Sequence, residues 1–430
     1  MSIFKIACFF AAVKCVLYLI VFLAPAIQFD TSTNLFLERF ASEEDINIWW
    51  NVRLWNKLVS WDAVFFLKNA MRHDSRPEYE HENAFSLLWC DLIRKACRGD
   101  LSFYHVLKMA VILENCLHLG ATIVLYFVTL RTFRANAFRL HHRHLLAQKT
   151  AMLFVAGSAS GFFLGVYSEP LSALLTFSGM LCREYATGYD VRGALVIPWT
   201  KWPIYTILST FCFAAAFAVR PNCVLLGLYY VFDLWNLLKS KNYRKATFMP
   251  LLSGLGMFCF LVYYQYYAPY QYYCPERGEW CAKKIWNLPV SYESLYSFIQ
   301  SRYWNVGLLH YWTLNNIPNF IIALPNAIIL WFSAIYFSHQ YPCPNLRPLV
   351  LIVRVFLVVM VFFAHVQIIN RVASFLPLHL WYIADRHNKL KFTKDENMKG
   401  DDKLVRFYVI WLVFWLPLQT SLFASFLPPA

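Results

Sequence analysis

The sequence has little charge and little glycine. Asp, Glu, Lys and Arg make up 15% of its 430 residues, whereas soluble domains carry about 25%. The 14 glycines exclude a collagen-like repeat, and the chain has no internal repeat, low-complexity tract or Gly- or Ser-rich linker. Apolar residues make up 59% of the chain and aromatic residues 19%. This composition excludes a disordered chain and argues against an ordinary soluble enzyme, so a bilayer is the expected solvent.

The local motifs of several common enzyme classes are also absent. The chain has no phosphate-binding Gly-x-x-x-x-Gly-Lys loop, no His-Glu-x-x-His, no Cys-x-x-Cys pair and no Gly-x-Ser-x-Gly turn. Nucleotide hydrolysis, zinc proteolysis and serine acyl transfer therefore lack their usual signatures.

Long apolar runs dominate the sequence instead. A transmembrane helix needs roughly 20 apolar residues, and the stretch 372–384 is too short and Pro-interrupted to assign. Candidate spans lie at residues 6–29, 101–130, 150–167, 170–182, 203–219, 222–238, 247–267, 317–337, 349–369 and 407–427. We expect an all-α polytopic membrane protein, a single integral membrane domain over residues 1–430 with about ten or eleven transmembrane helices.

The first apolar run has two interpretations. It ends near Ala24, Pro25 and Ala26, a composition that a cleavable signal peptide could have. Its length, however, exceeds the roughly 7–15 apolar residues of a signal-peptide core. We therefore interpret the run as a retained anchor, and under both interpretations the residues that follow it cross the membrane.

The distribution of charge predicts the side on which each loop lies. Lys and Arg exceed Asp and Glu by 14. Residues 131–149 and 239–245 contain basic residues but no acid, whereas residues 30–100 contain 12 of the 25 acids against 9 Lys or Arg. Because cytosolic loops are enriched in Lys and Arg, we expect loops 30–100 and 268–316 to be lumenal. The short basic runs are not typical of a nucleic-acid surface, so no nucleic-acid partner is expected.

Ser60, Trp61 and Asp62 follow one another in the first of these loops. Ser60 is a good N-cap for a short helix, and Asp62 would then occupy the first helical turn. Such an acid either complements the helix dipole at the surface or acts as a general base beside a lipid-linked substrate.

Three more charged residues are predicted at lumenal span ends. Glu169 follows Ser168 and precedes Pro170, the expected first helical residue, so it either caps the next helix or binds sugar hydroxyls. Arg220 and Arg371 end apolar spans. They either reach head groups or bind a phosphate with the guanidinium fork.

The loop at 268–316 is the most distinctive segment. Cys274 and Cys281 are separated by six residues and are predicted to form a disulfide. Cys90 and Cys97 have the same spacing and form a second candidate pair. The aromatic and polar run that follows resembles a carbohydrate site, although an aromatic interfacial belt is the alternative. Its candidate substrate-binding residues are Gln300, Arg302, Trp304 and Asn305.

Several blocks of the sequence together resemble one known family. Each block is weak alone, but they run in order from residue 60 to about 370 and are jointly similar to the GPI mannosyltransferase II family. The blocks are Ser60 to Phe65, Tyr167 to Glu169, Ala218 to Asn222, Glu279 to Cys281, Tyr296 to Ser301, Trp304 to Gly307, Tyr311 to Leu314, Asn316 to Phe320 and His365 to Gln367.

This resemblance implies a C-type glycosyltransferase-like bundle in the endoplasmic reticulum membrane. Its lumenal active site would transfer the second mannose from dolichyl-phosphate mannose to a GPI-anchor precursor with inversion. Asp62, beside Trp61, would be the catalytic base. This class often has two adjacent carboxylates, whereas Asp62 has none beside it, so Glu169 is the candidate second acid. The candidate ligands of the leaving phosphate are Arg220, Arg371 and Arg302.

The resemblance also defines the expected partners. These are the lipid-linked donor, the GPI-precursor acceptor and membrane lipids, and a small membrane partner subunit is compatible with them. Because the donor carries its own phosphate, no metal or cofactor is expected. The alternatives from other classes are a lipid or solute transporter and a non-catalytic scaffold. Transporters often have a repeated half and a binding site near the midplane, whereas the polar residues here gather at one face.

Overall fold

Almost all regular structure in the chain is helical. The computed structural model describes residues 2–25, 28–72, 77–134, 140–189, 195–274, 276, 278–286, 290–340, 344–392 and 399–427. The α-helices are α1 Ser2–Leu23, α2 Ser32–Phe40, α3 Glu43–Asn47, α4 Ala63–Met71, α5 Leu87–Ala96, α6 Phe103–Thr132, α7 Leu140–Val155, α8 Glu169–Ala186, α9 Trp202–Val219, α10 Leu228–Lys239, α11 Phe248–Val262, α12 Ala268–Tyr273, α13 Leu295–Trp304, α14 Ile317–Ile335, α15 Arg347–Phe362, α16 Ile369–Val372, α17 Leu378–Phe392 and α18 Lys399–Ala424. Within the described residues, β1 Gly188–Tyr189 pairs antiparallel with β2 Leu195–Val196.

Six helical segments in the described residues are long and apolar enough to cross a bilayer. They are Ser2–Leu23, Phe103–Thr132, Trp202–Val219, Tyr243–Tyr273, Leu314–His339 and Lys403–Ala424. The prediction of an all-α polytopic membrane protein is therefore confirmed. Other apolar runs also contain helices, among them α8, α10 and α15, but these are shorter or less apolar.

The prediction that residues 150–167 form one continuous helical span is wrong for the second half of this stretch. Helix α7 ends at Val155, and residues 156–168, which we call the turn segment, form successive turns before α8 begins. At Gly161 the backbone N–H donates to Gln419 Oε1 of α18 at 3.0 Å, and a Cβ at this position would lie 2.7 Å from that oxygen. The close approach of α18 replaces an intrahelical hydrogen bond here and requires a residue without a side chain.

The stretch 372–384, which hydropathy does not assign, contributes to the buried core. It ends within α17, where Trp381, Tyr382 and Ile383 are buried. Helix α17 packs against α7, α14 and α18. A helix that is surrounded by protein does not need a run of 20 apolar residues, so hydropathy alone could not identify it.

The helices bring the two long loops together at one place. In the centre, α8 packs between α6 and α9, while α14 contacts α15, α17 and α18. The first loop (residues 30–100) folds into α2 to α5, and the second loop (residues 268–316) contains α13. Asn83 of the first loop donates to the Tyr273 hydroxyl at 2.5 Å, and the rings of Phe85 and Trp304 lie 6.0 Å apart. The two loops therefore form one polar region above the bundle.

Candidate active site

A cavity of about 1010 Å³ lies between the two loops and the ends of α9, α11 and α15. Its walls have two chemical characters. The polar and aromatic side includes Trp61, Asp62, Arg220, Asn222, Tyr296, Gln300, Trp304, Gln367 and Arg371. The apolar side includes Phe217, Val224, Leu225, Leu261, Phe356, Val359 and Met360. A cavity of this kind suits a ligand with a polar head and a hydrocarbon tail.

Two acids and two arginines form a continuous ionic chain beside this cavity. Arg371 Nη1 donates to Asp62 Oδ2 at 2.8 Å, and Arg371 Nε lies 3.0 Å from Glu169 Oε1. Arg220 forms an ion pair with the same Glu169 oxygen. Burial lowers the pKa of Arg371, but Asp62 and Glu169 raise it by more, so this guanidinium stays charged. We call these four residues the ionic chain.

The members of the ionic chain differ in their access to the cavity. The Asp62 side chain is 25% exposed and both arginines are 14% exposed, whereas the Glu169 side chain is 2% exposed. Asp62, Arg220 and Arg371 line the cavity, and Glu169 lies behind them. Glu169 therefore holds the two guanidiniums close together, and Asp62 is the carboxylate that a substrate can reach.

The local structure around Asp62 differs from the prediction. Helix α4 begins at Ala63, so Asp62 precedes its first turn and Ser60 is not its N-cap. Ser60 Oγ donates instead to the Lys57 carbonyl at 3.0 Å. Trp61 has a left-handed φ of 58°, which is unfavourable for a bulky residue and is found mainly where the surrounding structure imposes it. This conformation directs the Asp62 side chain to Arg371 rather than to the helix end.

The Trp61 side chain is itself part of the cavity wall. Its ring stacks on Phe426, with centroids 5.0 Å apart and an interplanar angle of 22°. Its Nε1–H is buried and has no hydrogen-bond partner among the described residues. Because an unpaired buried donor is unfavourable, this group is suited to bind a substrate oxygen.

Helix α1 fixes the turn segment that supports Arg371. Lys14 Nζ donates to the Phe163 carbonyl and lies 3.6 Å from Glu114 of α6. The Tyr18 hydroxyl donates to the Leu164 carbonyl at 3.1 Å and accepts a hydrogen bond from Asn115 at 2.7 Å. Two parallel sets of contacts thus run from α6 through α1 to adjacent carbonyls of the turn segment. These two carbonyls lie four and three residues before Tyr167.

The turn segment in turn contacts Arg371 and the loop that carries Asp62. The Arg371 guanidinium lies over the Phe162 ring at 5.2 Å and the Tyr167 ring at 5.5 Å. The Tyr167 hydroxyl donates to the Ser60 carbonyl at 3.2 Å. The contacts made by α1 therefore position Arg371 and the Asp62 loop together.

Lys57 joins the same loop to the carboxyl end of α1. Its buried ammonium donates to the carbonyls of Val21, Phe22 and Ala24 at 2.9, 3.3 and 2.6 Å. Burial and the nearby Arg53 lower its pKa to about 8. A lysine at a helix carboxyl end satisfies carbonyls that have no intrahelical partner, so this loop is tied to α1 only a few residues before Asp62.

The structure brings some of the predicted site residues together and separates others. Trp61, Asp62, Arg220, Gln300, Trp304 and Arg371 line the cavity, whereas Ser168, Glu169, Arg302 and Asn305 do not. Ser168 is fully buried behind the wall. These last four residues do not reach the cavity wall, and Glu169 contacts the two arginines that do.

The periodicity of α13 explains the position of Arg302 outside the cavity wall. Tyr296, Gln300 and Trp304 are spaced by four and share the helix face that lines the cavity. Arg302 lies two positions from Gln300, on the other side of the helix, where it is 64% exposed and 3.9 Å from Glu279. Asn305 has a φ of 50° and ends the helix as its left-handed C-cap.

Sequence reasoning assigned no site role to Tyr296, although the i, i+4, i+8 spacing could have identified it. Burial raises the pKa of Tyr296, and so does the nearby Asp62. The two arginines, Arg220 and Arg371, lower this pKa, but it stays above its ordinary value. The phenol is therefore a neutral hydrogen-bonding group near the ionic chain.

A second cluster of cavity residues comes from distant blocks. His365 stacks on Tyr311 at 4.5 Å, and its Nε2–H donates to the Trp304 carbonyl at 2.8 Å. Asn319 donates to the Tyr311 hydroxyl at 2.7 Å. These contacts connect His365 with the segment 304–319, and both His365 and Trp304 line the cavity.

The predicted disulfide between Cys274 and Cys281 is confirmed, with Cα atoms 5.5 Å apart. The second candidate pair is wrong, since Cys90 and Cys97 are both free and buried. Both lie on or next to α5, within the hydrophobic core. Burial raises the pKa of the Cys90 thiol to about 12, so this cysteine is a core residue rather than a reactive one.

The apolar side of the cavity continues into a groove between α10 and α11. This groove has a volume of about 370 Å³ and shares Phe217, Val224 and Leu261 with the cavity. Every residue that lines it is apolar or aromatic.

In the described part of the chain, no three His, Cys, Asp or Glu side chains come together as a metal site would require.

The chain is similar to known proteins along its whole length. Residues 3–430 match the sequence model of a family described as Mannosyltransferase (PIG-V). The chain is 51% identical over 426 residues to GPI mannosyltransferase 2 of Saccharomyces cerevisiae, covering 98% of each chain. It is 48% identical over 434 residues to GPI mannosyltransferase 2 of Candida glabrata, covering 100% of each. Among solved structures, the apo oligosaccharyltransferase of Archaeoglobus fulgidus matches with a TM-score of 0.46 and 11% identity, covering 98% of this chain and 56% of that one.

Proposed function

The chain belongs to the PIG-V mannosyltransferase family, and from this premise we propose that it transfers the second mannose of a GPI-anchor precursor. The donor is dolichyl-phosphate mannose, and the reaction takes place on the lumenal side of the endoplasmic reticulum membrane with inversion. The observation that carries the proposal is the ionic chain, which opens on a cavity continuous with an apolar groove.

The two parts of the cavity match the two parts of the donor. A polyprenyl chain is purely apolar, and the groove between α10 and α11 offers it only apolar and aromatic side chains. The phosphate would lie against Arg220 and Arg371, since paired guanidiniums bind phosphate with charge-assisted hydrogen bonds. The mannose would then face Asp62 and the aromatic wall.

Asp62 is the proton acceptor in this mechanism. Only its Oδ2 is held by Arg371, so Oδ1 can take the proton from a hydroxyl of the acceptor mannose. The hydroxyl oxygen attacks the anomeric carbon of the donor from the face opposite the phosphate. The carbon–oxygen bond to phosphate breaks with its electron pair, and dolichyl phosphate leaves with the additional negative charge.

Arg371 couples proton transfer to departure of the phosphate. Before the reaction, two carboxylates compensate two guanidiniums in the ionic chain. When Asp62 accepts a proton, Arg371 loses one of its counter-charges at the moment when the leaving phosphate gains charge. The arginine therefore stabilises the developing charge more strongly in the transition state than in the ground state, which is the requirement for catalysis.

The test is a transfer assay with purified protein in lipid nanodiscs, radiolabelled dolichyl-phosphate mannose and a one-mannose GPI acceptor. Asp62→Asn preserves shape and removes the base, so turnover should fall by on the order of 10²–10⁴, while donor binding changes little. Asp91→Asn is the matched control, because Asp91 also pairs with an arginine, Arg94, in the first loop but does not line the cavity.

Two results would contradict the proposal. If folded Asp62→Asn protein transfers mannose at a rate within about threefold of the original, Asp62 is not the base. If mannose is transferred from a nucleotide sugar but not from dolichyl-phosphate mannose, the proposed donor is wrong.

A further inference from the structure

Arg371 lies on a helix that is too short to fix its own position. Helix α16 has four residues, Ile369–Val372, and single turns of 3₁₀ helix, Val366–Ile368 and Ala373–Phe375, lie on either side of it. One helical turn is not stable by itself. The position of the Arg371 backbone must therefore come from tertiary contacts, and its neighbour Asn370 supplies several of them.

Asn370 is fully buried and is hydrogen-bonded to two other parts of the chain. Its Oδ1 accepts a hydrogen bond from Nδ2 of Asn326 at 2.8 Å, and its Nδ2 donates to the Ile322 carbonyl at 3.2 Å, both on α14. Its backbone carbonyl accepts a hydrogen bond from Oγ of Ser158, in the turn segment, at 2.7 Å. Asn326 is also fully buried. Because a buried amide without partners is unfavourable, the two asparagines hold each other in one arrangement.

A proline in α14 explains why a backbone carbonyl is part of this contact. Pro325 lies inside the helix, directly before Asn326. A proline removes one N–H donor and distorts the preceding turn, which contains Ile322. Neighbouring side chains often satisfy the backbone groups of such a turn in membrane helices. Here Asn370 has this role, so the residue before Arg371 is tied to both the backbone and a side chain of α14.

Helix α18 supports the same contacts from the other side. The Tyr408 hydroxyl donates to Oδ1 of Asn326, and Nε1 of Trp415 donates to the Ser158 carbonyl at 3.0 Å. These two aromatic residues are seven positions apart, so they lie on one face of α18, and both are buried. None of these residues lines the active-site cavity. An effect of Asn326 on the reaction must therefore be transmitted through Asn370 and its neighbour.

We propose that Asn326 is a positioning residue, which holds Arg371 in contact with both Asp62 and Glu169 through the side chain of Asn370. This inference rests on the proposed function, because the role of Arg371 in the reaction is part of that function. Loss of the asparagine contact leaves the guanidinium charge in place but changes its alignment. The expected effect is therefore on the chemical step more than on binding of the donor.

The test is a double-mutant cycle in the mannosyl-transfer assay. Asn326→Leu has a similar size and removes both hydrogen bonds, whereas Tyr408→Phe removes one hydroxyl and is the milder change. Because a small misplacement of a positioned group can cost up to about 10²-fold, Asn326→Leu should lower kcat about tenfold and Tyr408→Phe less, with little change in KM for the donor. In an Arg371→Lys background each should lower kcat less than twofold, since an ammonium cannot bridge the two carboxylates in either case.

Ile329→Ala is the control for a general loss of stability. Ile329 is fully buried in the same helix, three residues after Asn326, and has no side-chain hydrogen bond to lose. Its replacement leaves a cavity that destabilises the protein. The change in kcat caused by Ile329→Ala should be the same in the Arg371 and Arg371→Lys backgrounds, because independent effects are additive.

The outcomes separate this inference from the proposed function. If Asn326→Leu lowers kcat by the same factor in both backgrounds, or leaves it unchanged, Asn326 does not position Arg371. If Asn326→Leu protein does not fold, the same comparison with Tyr408→Phe decides. If the original protein transfers no mannose, the proposed function is wrong, and the cycle is then measured by thermal unfolding. Additive shifts of the unfolding temperature would overturn the inference, whereas coupled shifts would support it without reference to the reaction.

Discussion

Replacing Arg371 by Lys tests whether the fork of the guanidinium, and not only its charge, is required. Arg371 uses two different nitrogens, Nη1 toward Asp62 at 2.8 Å and Nε toward Glu169 at 3.0 Å. A lysine ammonium is a single point of charge on a flexible chain. It can therefore retain one of the two carboxylates but cannot hold both in their present positions.

The magnitude follows from the contact that is lost. A hydrogen bond to a charged group contributes about 1.5–3 kcal/mol, so loss of one should lower kcat/KM roughly 10- to 150-fold. Arg220→Lys should have a smaller effect, below roughly tenfold, because Arg220 reaches Glu169 with one nitrogen that an ammonium can replace. The order of the two variants is as informative as the size of either effect.

Kinetics with dolichyl-phosphate mannose as the varied substrate would measure both effects, together with thermal unfolding to identify misfolded protein. Arg302→Lys is the control, since Arg302 is 64% exposed and lies outside the cavity. If folded Arg371→Lys protein has a kcat/KM within twofold of the original, Arg371 does not bridge the two carboxylates during turnover. The mechanism that couples it to the leaving phosphate would then be wrong.

Three other changes test the supports of the site. Lys14→Met leaves Glu114 buried without its counter-charge and should destabilise the protein by roughly 3–5 kcal/mol; addition of Glu114→Gln should restore part of the loss, as measured by thermal unfolding. Gly254→Leu should fill the groove between α10 and α11, whereas Gly254→Ala should be tolerated, since its Cβ would lie 4.0 Å from that of Tyr230. Exclusion of two methylene groups of the donor lipid would cost about 1.6 kcal/mol, so Gly254→Leu should raise KM for a long-chain donor about 15-fold and leave a short-chain analogue unaffected. Replacing Cys274 and Cys281 by Ser should lower stability by roughly 2–3 kcal/mol in the chain-entropy picture; unchanged unfolding temperatures with and without reductant would contradict this.

Sequence reasoning identified the membrane class and several site residues because these depend on local signals. Apolar runs predict helices, and arginines at the ends of such runs are few enough to stand out. Arg220 and Arg371 were found in this way and Asp62 from the Ser60 to Phe65 block, and all three line the cavity. The same reasoning could not give their partners, since Asp62 and Arg371 are separated by 309 residues and meet only in the folded chain.

The errors arise where a local pattern has more than one structural solution. The apolar run at residues 150–167 suits a single helix, but the close contact of Gly161 with Gln419 belongs to a chain of turns. Serine before a helix usually caps it, yet the left-handed Trp61 moves the helix start to Ala63. In both cases a tertiary contact determines the backbone conformation, and no spacing rule contains that contact.

Asp62 has no second carboxylate beside it in the sequence, and the fold provides a physical explanation for this. Two adjacent carboxylates on one loop would both face the substrate. Here the second carboxylate comes from Glu169, at the start of α8, and is 2% exposed. It is too deeply buried to exchange a proton with a sugar hydroxyl, but it is well placed to fix two guanidiniums through one oxygen. In the proposed mechanism, Asp62 therefore accepts the proton and Glu169 aligns the two arginines, while the contacts of α1 with the turn segment maintain the geometry between them.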